Sequence, residues 1–210
     1  MPSKRAAIVL AGGRSLRFGS NKALQTLGGK PLICHVIDRL ASLDDIAVVI
    51  GRRERATKYR AVLPKRVRVI NDYEEGKNPL IGVVSGLQSA VSDYVAVLAC
   101  DAPFVHDAVI DFLFRRALDA DAAVPRWDGG RIEPLQAVYQ RLPALSAAQE
   151  ALGDKDASHR EMINRLRRVV YVSVESEIRR IDPSLHTFFN INTREDLSIA
   201  KRILAEESYP

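Results

Sequence analysis

Residues 5–10, 46–50, 67–70 and 94–98 form four short runs that are apolar along their whole length or nearly so. A strand with one wet face alternates, whereas a run without alternation belongs to a strand covered on both faces, the habit of parallel sheets. Amphipathic stretches separate the runs, as crossover helices must. Pro31 opens one that sets Leu32, Val36, Ile37 and Leu40 on one face, and Pro79 opens another with Leu80, Val83, Val84, Leu87 and Val91. Residues 106–118 read as a third helix, with a strand at 121–125 behind it. The expected fold class is α/β, a three-layer sandwich around a mostly parallel central sheet.

The second half is less regular. Residues 132–139 read as a strand interrupted by Pro134, hence an edge strand or a lip beside a site. Helices are expected at 143–152 and 158–166, a strand at 168–174, and a closing helix at 194–206 capped by Thr193. No repeat, low-complexity stretch or linker interrupts the pattern, so residues 1–210 are expected to form one domain.

The first strand empties into Leu10-Ala-Gly-Gly-Arg-Ser-Leu-Arg-Phe-Gly-Ser-Asn-Lys22. Glycine lets backbone N–H groups approach a ligand, and successive N–H groups make a concave anion site. Arg14, Arg17 and Lys22 add charge that a neutral turn does not need, so a polyphosphate is the natural ligand. The spacing matches neither a P-loop nor a dinucleotide fingerprint. Ser15 lacks a nucleophile-elbow context, so hydrolysis through a serine is unsupported.

Composition narrows the partners. The net charge of +5 favours anions, but the basic residues are spread and lack aromatic stacking motifs, which argues against nucleic acid. No apolar run reaches the length of a membrane span, and the first residues lack a signal-peptide apolar region, so a cytoplasmic location is expected. Cys34 and Cys100 read as reduced core residues. The four histidines sit apart, without ligand spacing.

In an open α/β sheet, ligands bind beyond the carboxyl ends of the strands. Three polar elements fall there: the glycine-rich loop, Asn71-Asp72, and Cys100-Asp101-Ala102-Pro103-Phe104. Asp101 suits a single protein ligand of Mg²⁺, which fills its shell with phosphates and water. It fits a helix cap as well, and Asp72 fits a ligand contact or a turn equally. Cations, backbone amides and a metal suffice for phosphoryl or nucleotidyl transfer, and an attacking phosphate needs no general base.

On these residues the chain resembles the molybdenum cofactor guanylyltransferase family. Leu10, Ala11, Gly12, Gly13, Ser15, Arg17, Phe18, Gly19 and Lys22 match its opening signature. Segments 29–32, 79–87, 98–104, 133–139 and 189–193 resemble its later ones, nearly the whole chain in all. The resemblance implies a Rossmann-like nucleotidyltransferase fold of the GT-A kind, with a nucleotide half at 1–105 and an acceptor half at 106–210. It implies a Mg²⁺-dependent reaction in which the terminal phosphate of molybdopterin, or of its molybdenum form, attacks the α-phosphate of GTP and releases pyrophosphate. Leu10, Ala11, Gly12, Gly13, Asp72 and Gly82 would line the nucleotide, with Lys22 on its phosphates. Asp101 would hold the metal, and Arg17 would stabilise charge on the triphosphate. Asn192 stands where sister enzymes carry a second metal aspartate, and Asn21 where an aspartate is common before the lysine. Arg160, Arg165, Arg167 and Arg168 form either an acceptor-side anion surface or a solvated face. CTP or another nucleotide stays open, as does a sugar, polyol or small-acid phosphate acceptor, and a non-catalytic nucleotide-binding regulator is the remaining alternative. Contact with cofactor-insertion enzymes is implied by the family alone.

Overall fold

A computed structural model describes residues 5–12, 21–51, 56–73, 78–155 and 157–207. Seven strands form one sheet in the order β5-β4-β1-β6-β8-β7-β9: β1 (Arg5–Leu10), β4 (Asp45–Ile50), β5 (Arg68–Asn71), β6 (Tyr94–Ala99), β7 (Ala122–Arg126), β8 (Gln136–Gln140) and β9 (Val169–Ser173). The pairs β5–β4, β4–β1, β1–β6 and β7–β9 are parallel; β8 alone runs against both neighbours. The non-alternating runs behave as their composition requires. Val9 pairs with Val48 on one side and Leu98 on the other, and all three are buried.

Helices cover both faces. α1 (Leu32–Arg39), α2 (Ala56–Val62) and α4 (Asp107–Ala117) close one face over Val9, Val48, Ala96 and Leu98. α3 (Pro79–Ser89), α5 (Arg141–Leu152) and α6 (His159–Asn164) close the other over Ile8, Val97 and Tyr139. Their starts follow local chemistry. Asn78 accepts from Leu80 N–H at 2.9 Å ahead of Pro79, and Ser158 accepts from Glu161 N–H at 3.2 Å. A small hairpin, β2 (Thr26–Leu27) with β3 (Lys30–Pro31), turns through Gly28 and Gly29 at φ 58° and 82°. Two positive φ angles are what a tight hairpin demands. The last helix, α7 (Arg194–Glu207), packs on this hairpin, Leu27 and Leu32 lying in one cluster with Ala200 and Ile203.

Two expectations need correction. The strand at 132–139 is neither an edge nor as long as its apolar pattern. Pro134 has no N–H to pair, so the strand starts only at Gln136, and it lies inside the sheet between β6 and β7. Residues before it do form a lip: Leu135 C=O accepts from Ala99 N–H at 3.0 Å, beside the end of β6. Val91 does not join the buried face of α3, which ends at Ser89 and leaves Val91 76% exposed. Two short elements, α2 and the β2–β3 hairpin, lack a sequence pattern strong enough to stand out.

Candidate active site

Three strand ends place the site. Ala11 N–H donates to Val49 C=O at 2.8 Å and Cys100 N–H to Leu10 C=O at 3.2 Å, which fixes the exit of β1 between β4 and β6. Gly12 follows at once. Gly13, Arg14, Ser15, Arg17, Phe18 and Gly19 lie outside the described residues. The backbone returns at Asn21, and Lys22 opens a short 3-10 turn, Lys22–Leu24.

Lys22 gathers the second element. Its ammonium makes an ion pair with Asp101 and donates to Asn192 Oδ1 at 2.8 Å. The Lys22 and Asp101 side chains are 15% and 20% exposed, open enough to meet a ligand. Asp101 C=O accepts from Ile191 N–H at 2.9 Å, so the last loop is sewn to the end of β6. Asn192 is fixed in turn by the start of α7. Asp196 Oδ2 accepts from the N–H groups of Asn192 and Thr193, each at 2.8 Å, and Thr193 Oγ1 accepts from Asp196 N–H at 3.1 Å. This is the reciprocal capping expected of Thr193. Desolvation is the largest single influence and raises the Asp196 carboxyl, but those N–H groups, the Thr193 hydroxyl and the Lys22 charge together hold it below its ordinary value.

Asp72 supplies the third element, directly after β5. Its N–H donates to Ile50 C=O at 2.9 Å, and glycines surround its carboxylate. A Cβ on Gly12 would stand 3.5 Å from Asp72 Oδ2, one on Gly51 3.4 Å from the same oxygen, and one on Gly82 3.5 Å from Oδ1. Burial pushes this carboxyl up to about 6, with the Ser85 hydroxyl pulling part of the way back. Among the described residues its buried Oδ1 has no hydrogen-bond partner. A buried acceptor left unpaired is costly, and it is satisfied at once by a ligand donor that enters beside the glycines.

A residue outside the sequence reading ties the loop together. Tyr59 of α2 is fully buried, and its hydroxyl lies 3.2 Å from Ala11 C=O and 3.2 Å from Asn21 Oδ1. One phenol thus holds both ends of the glycine-rich segment. Nothing local in Ala-Thr-Lys-Tyr-Arg announces this, because the partners are 48 and 38 residues away.

The structure brings Leu10, Ala11, Gly12, Lys22, Asp72, Gly82, Asp101 and Asn192 to one rim; Gly13 and Arg17 lie outside the described residues. The arginine group at 160–168 does not assemble. Arg165 pairs with Asp154 and Glu161, while Arg167 and Arg168 N–H groups bond Asp121 at the amino end of β7, the far end of the sheet. The histidines stay apart: His106 caps α4, and His35 Nε2 lies 2.9 Å from Leu27 C=O. Cys34 and Cys100 are free thiols. Cys34 is buried as expected; Cys100 is half-buried, its thiol pushed up to about 12 by desolvation and the Asp101 charge, which makes it a poor nucleophile.

The donor set suits a hard cation. Among the described residues no group of three or more His, Cys, Asp or Glu side chains could hold a metal. Asp101 and Asn192, however, offer oxygen atoms to one ammonium, so a positive charge already stands between them. Two oxygens with the remaining shell left to phosphates and water is the Mg²⁺ pattern. No helix among the described residues is long and apolar enough to cross a membrane.

Comparison with known proteins shows the family and the fold. The family model for the MobA-like NTP transferase domain matches residues 7–169. A probable molybdenum cofactor guanylyltransferase of Methanosarcina acetivorans is 40% identical over 200 residues, covering 92% of this chain and 88% of the relative. A molybdenum cofactor guanylyltransferase of Desulfosudis oleivorans is 36% identical, covering 92% and 93%. The crystal structure of molybdopterin-guanine dinucleotide biosynthesis protein A from Archaeoglobus fulgidus superposes with a TM-score of 0.83 at 30% identity, covering 96% of this chain and 99% of that one. A 4-diphosphocytidyl-2C-methyl-D-erythritol synthase structure from Anaerococcus prevotii, at 15% identity and a TM-score of 0.72, shares the fold. With a family model that spans most of its length and a rim of Lys22, Asp72, Asp101 and Asn192 at the carboxyl ends of its strands, this chain belongs to the MobA-like NTP transferase family.

Proposed function

We propose that this chain transfers GMP from GTP to the terminal phosphate of molybdopterin, as one catalytic unit over residues 1–210. The observation that carries the reading is the Lys22–Asp101–Asn192 cluster beside the glycine-rich exit of β1, and the names of the relatives at 36–40% identity favour the guanylyl branch. A phosphate oxygen of the acceptor attacks the α-phosphorus of GTP. The new O–P bond forms as the bridge to the β-phosphate breaks, and pyrophosphate leaves with the electron pair. The attacking group is already an anion, so no side chain has to take a proton.

Each residue has a task in that scheme. The backbone of Leu10, Ala11, Gly12 and Gly13 lines the nucleotide, and Asp72 with Gly82 receives a donor from it. Lys22 releases its two oxygen partners to neutralise phosphate charge, and Arg17 stabilises the charge that develops on the triphosphate. Asp101 and Asn192 would then hold Mg²⁺. When bound, that ion supplies charge stabilisation for the leaving pyrophosphate.

Pyrophosphate release with Mg²⁺ and molybdopterin, GTP against CTP, tests the reading. Release with GTP alone supports it; release with CTP moves the chain to a cytidylyl branch. Silence with both moves the acceptor to another phosphate or leaves a nucleotide-binding regulator. Asp101→Ala is expected to abolish turnover with a native circular dichroism spectrum, and full activity would remove the metal assignment.

A further inference from the structure

The same rim carries a second concavity. Because β7 and β9 run parallel to β6, their carboxyl ends face the side on which Asp101 stands. A cavity of about 560 Å³ lies there, walled by Arg126, Trp127, Tyr171, Ser173 and Glu177 among others. That volume is usual for a small-molecule site. Its walls join the flat groups of Arg126, Trp127 and Tyr171 to two carboxylates, Asp128 and Glu177. The Arg126 guanidinium lies 4.6 Å from the Tyr171 ring centroid, and the Arg131 guanidinium lies 4.5 Å from that of Trp127.

The second pair is fixed from several sides. The Trp127 indole N–H donates to Glu133 Oε1 at 2.7 Å, and its ring meets the edge of Phe188 at 5.6 Å. Glu133 Oε1 also pairs with Arg131 at 3.3 Å. Arg126 and Arg131 nevertheless stay exposed, and Tyr171 is 38% exposed, so these flat groups present themselves to solvent instead of filling the core.

We propose that this cavity binds the pterin ring of the acceptor, stacked on the Arg126–Tyr171 pair. The proposal rests on the nucleotidyl-transfer reading above. Planar, nitrogen-rich heterocycles stack on guanidinium planes and aromatic faces, and prepaired guanidiniums lose little freedom on binding. The reach fits as well. β7 and β9 are two and three strands from β6, which places the cavity about 10–14 Å from Asp101 at ordinary strand spacing. That is the span of a fused ring system with a phosphomethyl arm whose phosphate lies at Lys22. Arg167 and Arg168, at the opposite end of β9, cannot take part.

The test combines kinetics and binding. The acceptor KM and the GTP KM are measured from pyrophosphate release for the wild type, Arg126→Ala, Tyr171→Ala and Tyr171→Phe. Calorimetric titration with pterin-6-carboxylate, without nucleotide, is run on the same four proteins. The acceptor KM is expected to rise tenfold or more in both alanine variants, with the GTP KM within twofold and Tyr171→Phe close to wild type. Pterin binding should weaken in parallel. An acceptor KM within twofold of wild type in both alanine variants overturns the proposal. A wild type that releases no pyrophosphate with molybdopterin sinks the transfer reading instead. The titration then decides the cavity: pterin binding lost in Tyr171→Ala keeps it, and no binding to the wild type overturns it.

Discussion

Lys22 donates to Asn192 Oδ1 at 2.8 Å across 170 residues of chain, so the first loop of the fold is latched to the last. Asn192→Ala should open that latch and cost ~1 kcal/mol, a fall in melting temperature of about 2–4 °C for a chain of this size. Asn192→Asp adds a second carboxylate where the amide oxygen stands. It should lower the Mg²⁺ concentration that gives half-maximal turnover, and an unchanged half-point in a metal titration would place the metal elsewhere.

The Asp72 carboxyl, raised to about 6 from 3.8, favours the folded state only while it holds its proton. That contribution is complete below about 3.8 and is lost as pH rises through about 6. Asp72→Asn keeps the shape and removes the charge. It should therefore gain stability at pH 7, by ~1 kcal/mol once partial exposure is discounted, and gain nothing at pH 4. Urea midpoints at the two pH values check the sign, and an equal shift at both would show that burial of the charge is not the cause.

Two glycines of α3 should answer alanine in opposite ways. A Cβ at Gly86 would fall 2.6 Å and 2.8 Å from carbons of the buried Ile8 side chain. Gly86→Ala is expected to cost about 1–3 kcal/mol through overpacking. At Gly82 the nearest atoms are Leu10 Cδ2 at 3.4 Å and Asp72 Oδ1 at 3.5 Å, ordinary contacts. Gly82→Ala should keep or raise the melting temperature, since alanine suits a helix better by ~1 kcal/mol, while it raises the nucleotide KM by setting a methyl beside the Asp72 oxygen that would receive the ligand's donor.

Tyr59→Phe removes one oxygen and no volume. Ala11 C=O loses a buried partner, at a cost of about 1–3 kcal/mol. Because Ala11 and Asn21 flank the glycine-rich segment proposed to bind phosphate, the nucleotide KM should rise more than kcat falls. A loss of stability with an unchanged KM would make Tyr59 a packing residue only.

The strands of the nucleotide half were readable because parallel burial leaves no polar alternation, and runs as short as Ala6–Val9 or Val95–Leu98 suit strands better than helices. The place of Asp72 and Asp101 on the rim was readable because each follows such a run, and that of Lys22 because it closes the glycine-rich segment behind β1. Tyr59 was not, since its role depends on partners brought together by the sheet order. β8 misled for a definite reason: Pro134 resembles an edge signal, yet it lies two residues before the first paired position. The 160–168 arginines stayed open between an anion surface and a solvated face, because closeness in sequence does not say which end of β9 Arg167 and Arg168 occupy. Trp127 and Tyr171 carry no motif, and their neighbourhood exists only after β7 and β9 pair.

The reversed strand β8 has a further effect on how such a protein can change. Its flanks hold two parallel blocks, β5-β4-β1-β6 and β7-β9, that never touch each other in the sheet. Residues 127–133, most of the connection from β7 to β8, can therefore be rebuilt without shifting the register of β1 against β4 or β6, whereas Leu135 is tied to the end of β6. The fold behaves like a workbench with a fixed vice and an interchangeable jaw, one strand's width apart.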